Sequence, residues 1–365
     1  MLKPKIKILD WYIIKKFIGT YFFSLLIIIG IVIIFDLSEK LDKFVDNQAP
    51  LNAIIFDYFC NFIPFIVNMF SPLFVFITVI FFTSKLAGNS EIIAILSGGV
   101  SFQRLMVPYL VSAGIIAIFS FVLGQYVIPP ANRTRLEFEQ QYVKTSKYFN
   151  ANRNIHYQIA PGEFVYVESF SSWNNTCYRF TLESVEDNKL KSKLSAESAV
   201  WDDKIQGWNL KNYFIRDYDE YGNERVVHGR DRDTVIALTL EDFYRKKNVV
   251  ETLNAKELNA LIAMQEMRGD DIVKYAYIEK HKRTAMPFSA FILTVMGVAL
   301  SSRKRRGGIG LNIGIGIGLS FSYILFLRFS EMFVYTDTLT PFVALWMPNV
   351  LYTFIAYALY RLAPK

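Results

Sequence analysis

Apolar residues in this chain gather into six long stretches, three before and three after a long region of mixed sequence between Pro129 and Lys282. The stretches run from Tyr12 to Phe35, Ala53 to Thr83, Leu105 to Ile128, Met286 to Ser301, Ile309 to Val334 and Pro341 to Leu359. Most reach the ~20 residues that cross a hydrocarbon layer ~30 Å thick, so the pattern predicts six transmembrane helices with both termini on one side. The first stretch exceeds a signal-peptide core and no small-x-small site precedes Asp36, which makes it a retained span.

Short loops that keep Lys and Arg mark the cytoplasmic face. Lys3, Lys5, Lys7, Lys15 and Lys16 flank the first span, Lys85 and Arg104 the second connection, Arg303, Lys304, Arg305 and Arg306 fill the fourth, and Arg361 and Lys365 end the chain. All fall on one face if the spans alternate. On the opposite face Lys40 and Lys43 sit among Glu39, Asp42 and Asp46, and the last loop has only Asp337. The insert is therefore expected outside the cytoplasm.

The insert reads mainly as β. Phe164 to Val167 follow a Pro161-Gly162 turn, Tyr178, Phe180 and Leu182 alternate with polar residues, and Trp208, Leu210, Tyr213 and Phe214 lie between the Gln206-Gly207 and Tyr221-Gly222 turns. Such short strands suggest a small sandwich or jelly roll. After Val250 the apolar spacing turns helical through Leu253, Leu258, Leu261, Ile262 and Met264, breaks at Arg268-Gly269-Asp270, and resumes from Asp271 through Arg283 into the fourth span. That segment is a linker with an amphipathic face or a gating connection.

The expected architecture is thus a membrane α-helical bundle of six transmembrane helices with a β-jelly-roll-like domain inserted between helices 3 and 4. Residues 1–130 hold the first three spans, 131–265 the β domain, and 266–365 a connecting helix and the last three spans.

A net charge of +7 raises the question of nucleic acid, but the excess is explained by the membrane flanks, so no nucleic-acid partner is expected. Cys60 lies in a span and Cys177 in the insert, which gives neither a disulfide framework nor a thiolate metal site. His156, His228 and His281 are scattered, and no HExxH, GxSxG or GxxxxGK[ST] pattern occurs. No catalytic residue, metal or cofactor is expected. Gly307, Gly308, Gly310, Gly314, Gly316 and Gly318 resemble a phosphate loop but run along an apolar helix. Gly310, Gly314 and Gly318, followed by Ser322, recur every four residues and would let another helix approach.

The second cytoplasmic connection offers a short helix from Asn89 to Ser97. Asn89 or Ser90 can cap it, Glu91 sits in its first turn, Ile92, Ile95 and Leu96 give it an apolar face, and Gly98-Gly99 stops it. Such an element either connects two spans along the interface or serves as a handle for a cytoplasmic motor subunit.

Leu9-Asp10-Trp11-Tyr12, the Asn89-Ser90-Glu91 to Gly99-Val100-Ser101 segment, Val127-Ile128-Pro129, Pro287 with Gly297, and Trp346-Met347-Pro348-Asn349 together resemble the LptF/LptG permeases of lipopolysaccharide export over essentially the whole chain. The Leu-Asp-x-Tyr opening leans towards the LptG type. The resemblance implies one permease of an ABC exporter that pairs with a second LptF/LptG-type permease around a cavity for lipopolysaccharide. A separate cytoplasmic ATPase dimer would drive extraction from the inner membrane, and LptC/LptA-like periplasmic bridge proteins would receive the cargo. ATPase contact then falls to Ser90, Glu91, Ile92, Ile95 and Leu96.

An apolar cavity for a lipid with anionic phosphates needs cations at headgroup level, and ionisable groups beside spans are functional by default. Lys40, Lys43, Arg133, Arg135 and Arg328 lie at that level, each a substrate contact, a snorkelling anchor or an ion-pair member, as Arg328 and Glu331 at i,i+3 would be. A membrane enzyme would need converging polar groups that the sequence does not offer. A membrane-anchored sensor or assembly factor with a periplasmic β domain is the other reading, distinguished by whether an ATPase accompanies the chain.

Overall fold

The computed structural model describes residues 7–143, 153–171, 173–219, 221–243, 247–269, 273–302 and 308–363. Lys3, Lys5, Arg303, Lys304, Arg305, Arg306, Gly307 and Lys365 lie outside the described residues.

Six helices are long and apolar enough to cross a membrane. In chain order the helices are α1 (Ile8–Asp46), α2 (Leu51–Gly88), the short α3 (Glu91–Ser97), α4 (Phe102–Val143), α5 (Leu240–Phe243), α6 (Ala255–Arg268), α7 (Val273–Ser301), α8 (Gly308–Tyr335) and α9 (Pro341–Leu362). Between α4 and α5 lie six strands, β1 (Arg153–Ala160), β2 (Glu163–Ser171), β3 (Thr176–Glu186), β4 (Lys189–Asp202), β5 (Gly207–Tyr218) and β6 (Glu224–Thr234). The chain divides into a membrane unit, Met1–Val143 with Glu251–Ala255 and Tyr277–Lys365, and a sheet unit, Lys144–Val250 with Lys256–Ala276.

In the membrane unit Ile13, Phe17, Tyr21 and Leu25 recur every four residues on α1 and pack in one core with Val75, Phe76 and Val79 of α2, Met106 and Tyr109 of α4, and Leu293 and Met296 of α7. Lipid is as apolar as these side chains, so close packing and interhelical hydrogen bonds must hold the helices together. Tyr21 and Ser71 meet at 2.7 Å, Tyr109 and Thr83 at 3.1 Å, and Tyr323 donates to Asn349 Oδ1 at 2.8 Å while the Asn349 amide donates to the Ala285 carbonyl at 2.9 Å.

The third long helix does not end at Val127-Ile128-Pro129. Pro129 and Pro130 cannot donate backbone hydrogen bonds, but a π-helical segment at Leu123–Val127 absorbs the missing bonds and the helix continues to Val143. The membrane unit therefore extends beyond residue 130.

The sheet unit is a six-stranded antiparallel meander in the order β1-β2-β3-β4-β5-β6, which fits a β-jelly-roll-like domain. Val165, Val167, Phe180, Leu194, Trp208 and Leu210 form its core with Leu238 and Phe243, and Trp208 donates its indole N–H to the Leu238 carbonyl at 2.8 Å. Burial pushes the Cys177 thiol pKa up, which leaves it an inert core residue. Strand β6 is almost wholly exposed and carries Arg225, Arg230, Asp231, Arg232 and Asp233 along the edge of the sheet. Charges there oppose edge-to-edge aggregation.

Candidate functional site

Two regions of the membrane unit carry the residues singled out from the sequence. The first is α3 and its surroundings. Ser90 occupies the cap position with φ of 62° and makes no side-chain capping bond, so neither the Asn89 nor the Ser90 cap forms as expected. The Asn89 amide instead donates to Glu91 Oε1 at 3.1 Å, and Tyr12 of α1 reaches Glu91 Oε2 at a long 3.5 Å.

The apolar face of α3 belongs to the bundle. Ile92 is 1% exposed within the core, and Ile95 and Leu96 pack against that core. Ile92 thus anchors α3 and cannot be a surface contact, because an amphipathic helix in a short connection buries its apolar stripe in its own bundle first. The side that faces away presents Ile93, Ala94 and Ser97.

Beside α3 lies a bond that pattern reading missed. Arg104 donates to both carboxylate oxygens of Asp10, at 2.8 and 2.6 Å, and Asp10 also accepts from the Lys7 backbone N–H at 2.8 Å. This two-pronged pair ties the start of α1 to the start of α4. Its signal was an acid within the lysine-rich opening of the first span.

The second region is the far end of the helices. Lys40 is held by Asp36 at 2.5 Å and by the Tyr58 hydroxyl, and its ammonium lies 4.8 Å from the Tyr58 ring centre and 5.7 Å from that of Phe62. Arg135 stacks on the same Phe62 ring at 5.3 Å and on Phe65 at 5.2 Å. Lys40 is therefore a neutralised member of an ion pair on its own helix. Lys43 and Arg133 point to the exposed side, and Arg328 pairs with Glu331 at 3.2 Å as its spacing predicted.

Arg328 also lines a cavity in this region with Asn132, Glu251, Glu279, Lys282 and Arg283. The acids of this group escaped the sequence reading because Glu251 is far from the others along the chain. Burial, and then the charge of Glu279, hold the Glu251 carboxyl pKa above its ordinary value.

The glycine face on α8 is open within this chain. A Cβ added at Gly310, Gly314 or Gly318 meets nothing, whereas one at Gly316 collides with Ile80 of α2, and one at Gly297 of α7 would sit 2.8 Å from Val79 Cγ1. Within the membrane unit the contacts that depend on glycine are those of Gly316 and Gly297. Among the described residues no His, Cys, Asp and Glu group is arranged to hold a metal ion.

No curated protein matches the chain. The model of the family described as lipopolysaccharide export system permease LptF/LptG matches residues 11–362. The match begins in the first turns of α1, includes α3 and the inserted sheet, and ends with the last residue of α9. The chain belongs to the LptF/LptG family of lipopolysaccharide export permeases.

Proposed function

We propose that this permease pairs with a second LptF/LptG-type permease, and that a separate cytoplasmic ATPase dimer works on α3 to extract lipopolysaccharide from the inner membrane and hand it to LptC/LptA-like bridge proteins. Both termini are then cytoplasmic and the sheet unit periplasmic. The Leu9-Asp10-Trp11-Tyr12 opening favours the LptG type.

The observation that carries this reading is the mounting of α3. Ile92 fixes it in the core shared by α1, α2 and α4, Glu91 reaches Tyr12 of α1, and Asp10 to Arg104 ties α1 to α4. A force on α3 therefore acts on three spans together. The ATPase meets Glu91 with Ser90, Ile93, Ala94 and Ser97, while Ile95 and Leu96 sit at the margin of that contact. Lys43, Arg133, Arg135 and Arg328 supply cations for lipopolysaccharide phosphates, with Lys40 available only if its Asp36 pair opens. The open Gly310, Gly314 and Gly318 face meets a helix of the second permease.

The test is export with reconstituted partners. Glu91→Lys and Ile93→Asp should lose most ATP-dependent release of lipopolysaccharide while the purified chain keeps its yield and elution volume. Gly314→Leu should separate the two permeases without unfolding either. Normal release by both α3 variants would overturn the motor contact.

A further inference from the structure

The cavity between α2, α4, α7 and α8 measures about 70 Å³, and its lining carries charges of both signs. Glu279 and Arg283 neutralise one another at 2.7 Å, and Arg328 is engaged by Glu331. Glu251 and Lys282 differ from these. Both line the cavity and Glu251 feels the charge of Lys282, yet among the described residues neither side chain makes a salt bridge or hydrogen bond.

Asn132, on the same wall, is fully buried, and both its amide nitrogen and its amide oxygen lack partners. A buried amide without partners has lost its hydrogen bonds to water with nothing in return, so a polar group belongs beside it. The cavity has room for more than one water, since one needs only ~10–15 Å³. Water would satisfy Asn132 but would leave the Glu251 and Lys282 side chains without a hydrogen-bonded counter-ion. The remaining walls, Phe65, Met69, Ile128 and Leu327, are apolar and suit a hydrocarbon continuation.

We propose that this cavity binds the headgroup of a zwitterionic membrane phospholipid, a phosphoethanolamine, with its phosphate on Lys282 and the Asn132 amide and its ammonium on Glu251. An anionic phosphatidylglycerol headgroup brings the same phosphate charge without an ammonium to offset it and offers Glu251 only neutral hydroxyl donors. A trimethylated choline has no N–H to donate. An arriving ammonium stabilises the ionised Glu251 carboxylate, whose pKa burial and Glu279 otherwise hold up. The assignment does not rest on the export reading, and Arg328, given to cargo there, is left unvaried in its test.

The full-length protein, with whatever partners co-purify, is reconstituted with equal amounts of phosphatidylethanolamine, phosphatidylcholine and phosphatidylglycerol, re-extracted in mild detergent, and its retained lipids are quantified by mass spectrometry. Phosphatidylethanolamine should be retained roughly tenfold over either competitor. Glu251→Gln, Lys282→Gln and Asn132→Leu should each bring the three lipids to parity, while Lys282→Arg keeps the preference and shows that the cavity tolerates substitution. Equal retention by the unmodified protein, or a preference that survives both Glu251→Gln and Lys282→Gln, overturns the site. So does lipopolysaccharide recovered in place of phospholipid and lost in the same variants. Thermal protection by soluble phosphoethanolamine without lipid retention would give the site to a soluble ligand and overturn the lipid assignment. If Asn132→Leu leaves the lipid preference unchanged while the other two variants abolish it, the assignment of the phosphate to the Asn132 amide falls.

Discussion

Asp10 and Arg104 meet through two short hydrogen bonds, whereas Glu251 and Lys282 face one cavity without meeting. Both pairs lie in the membrane unit and both bring together residues far apart in the chain. The first is saturated: Asp10 also takes the Lys7 N–H, so a ligand gains nothing by entering. It works as a clamp on helix ends. The second keeps its charges and the Asn132 amide uncommitted, which makes it receptive. A closed pair fixes structure, and an open pair beside an unsatisfied amide invites an occupant.

The largest effect that would break this contrast is expected at the clamp. Asp10→Ala leaves Arg104 without its carboxylate and the α1 start without its bond, so the melting temperature of the purified protein should fall by several degrees. The exchange Asp10→Arg with Arg104→Asp should recover part of that loss. An unchanged melting temperature in Asp10→Ala would mean that the pair only decorates the surface.

A smaller effect of opposite sign belongs to the cavity. In lipid-free detergent Asn132→Leu replaces an unsatisfied amide by a side chain of similar size and should stabilise the chain by about 1 kcal/mol. Destabilisation of that size would show that the amide has partners even without lipid.

The smallest effect is a slope with pH. The raised Glu251 pKa means that the folded chain holds this proton more firmly than the unfolded chain. Its contribution to stability is full below the ordinary value near 4.5, declines as pH rises through the elevated folded value, and is constant above it. Glu251→Gln should remove that decline from melting curves recorded between about pH 4 and pH 8. Identical pH profiles would show that Glu251 titrates as it does in water.

As an LptF/LptG permease the chain is a multi-pass protein of the inner membrane, a transport subunit. How much of this was legible depended on how far each signal extends along the chain. Six spans and three of the strands could be read because twenty apolar residues, or an alternation such as Tyr178, Phe180 and Leu182, repeat a decision many times. Strand β6, Glu-Arg-Val-Val-His-Gly-Arg-Asp-Arg-Asp-Thr, has no such pattern and exists because β5 pairs with it from Trp208↔Thr234 to Tyr218↔Glu224. The glycine face at Gly310, Gly314 and Gly318 was visible as a period, but only packing revealed that Gly316 touches α2.

The sequence by itself determined that the chain crosses the membrane six times, that a β domain interrupts the spans, and that a short helix with Glu91 at its start lies between the second and third. These follow from hydrophobicity, chain length and local turn chemistry, which act within a few residues. Only the tertiary structure decided that Ile92 is an anchor, that Lys40 is spent on Asp36 while Arg135 rests on Phe62, that Asp10 finds Arg104, and that Asn132, Glu251 and Lys282 share one cavity. Charge and hydrogen bonding act through space over a few ångströms, and their partners stand 94 residues apart for Asp10 and Arg104, a distance that no pattern along the chain records.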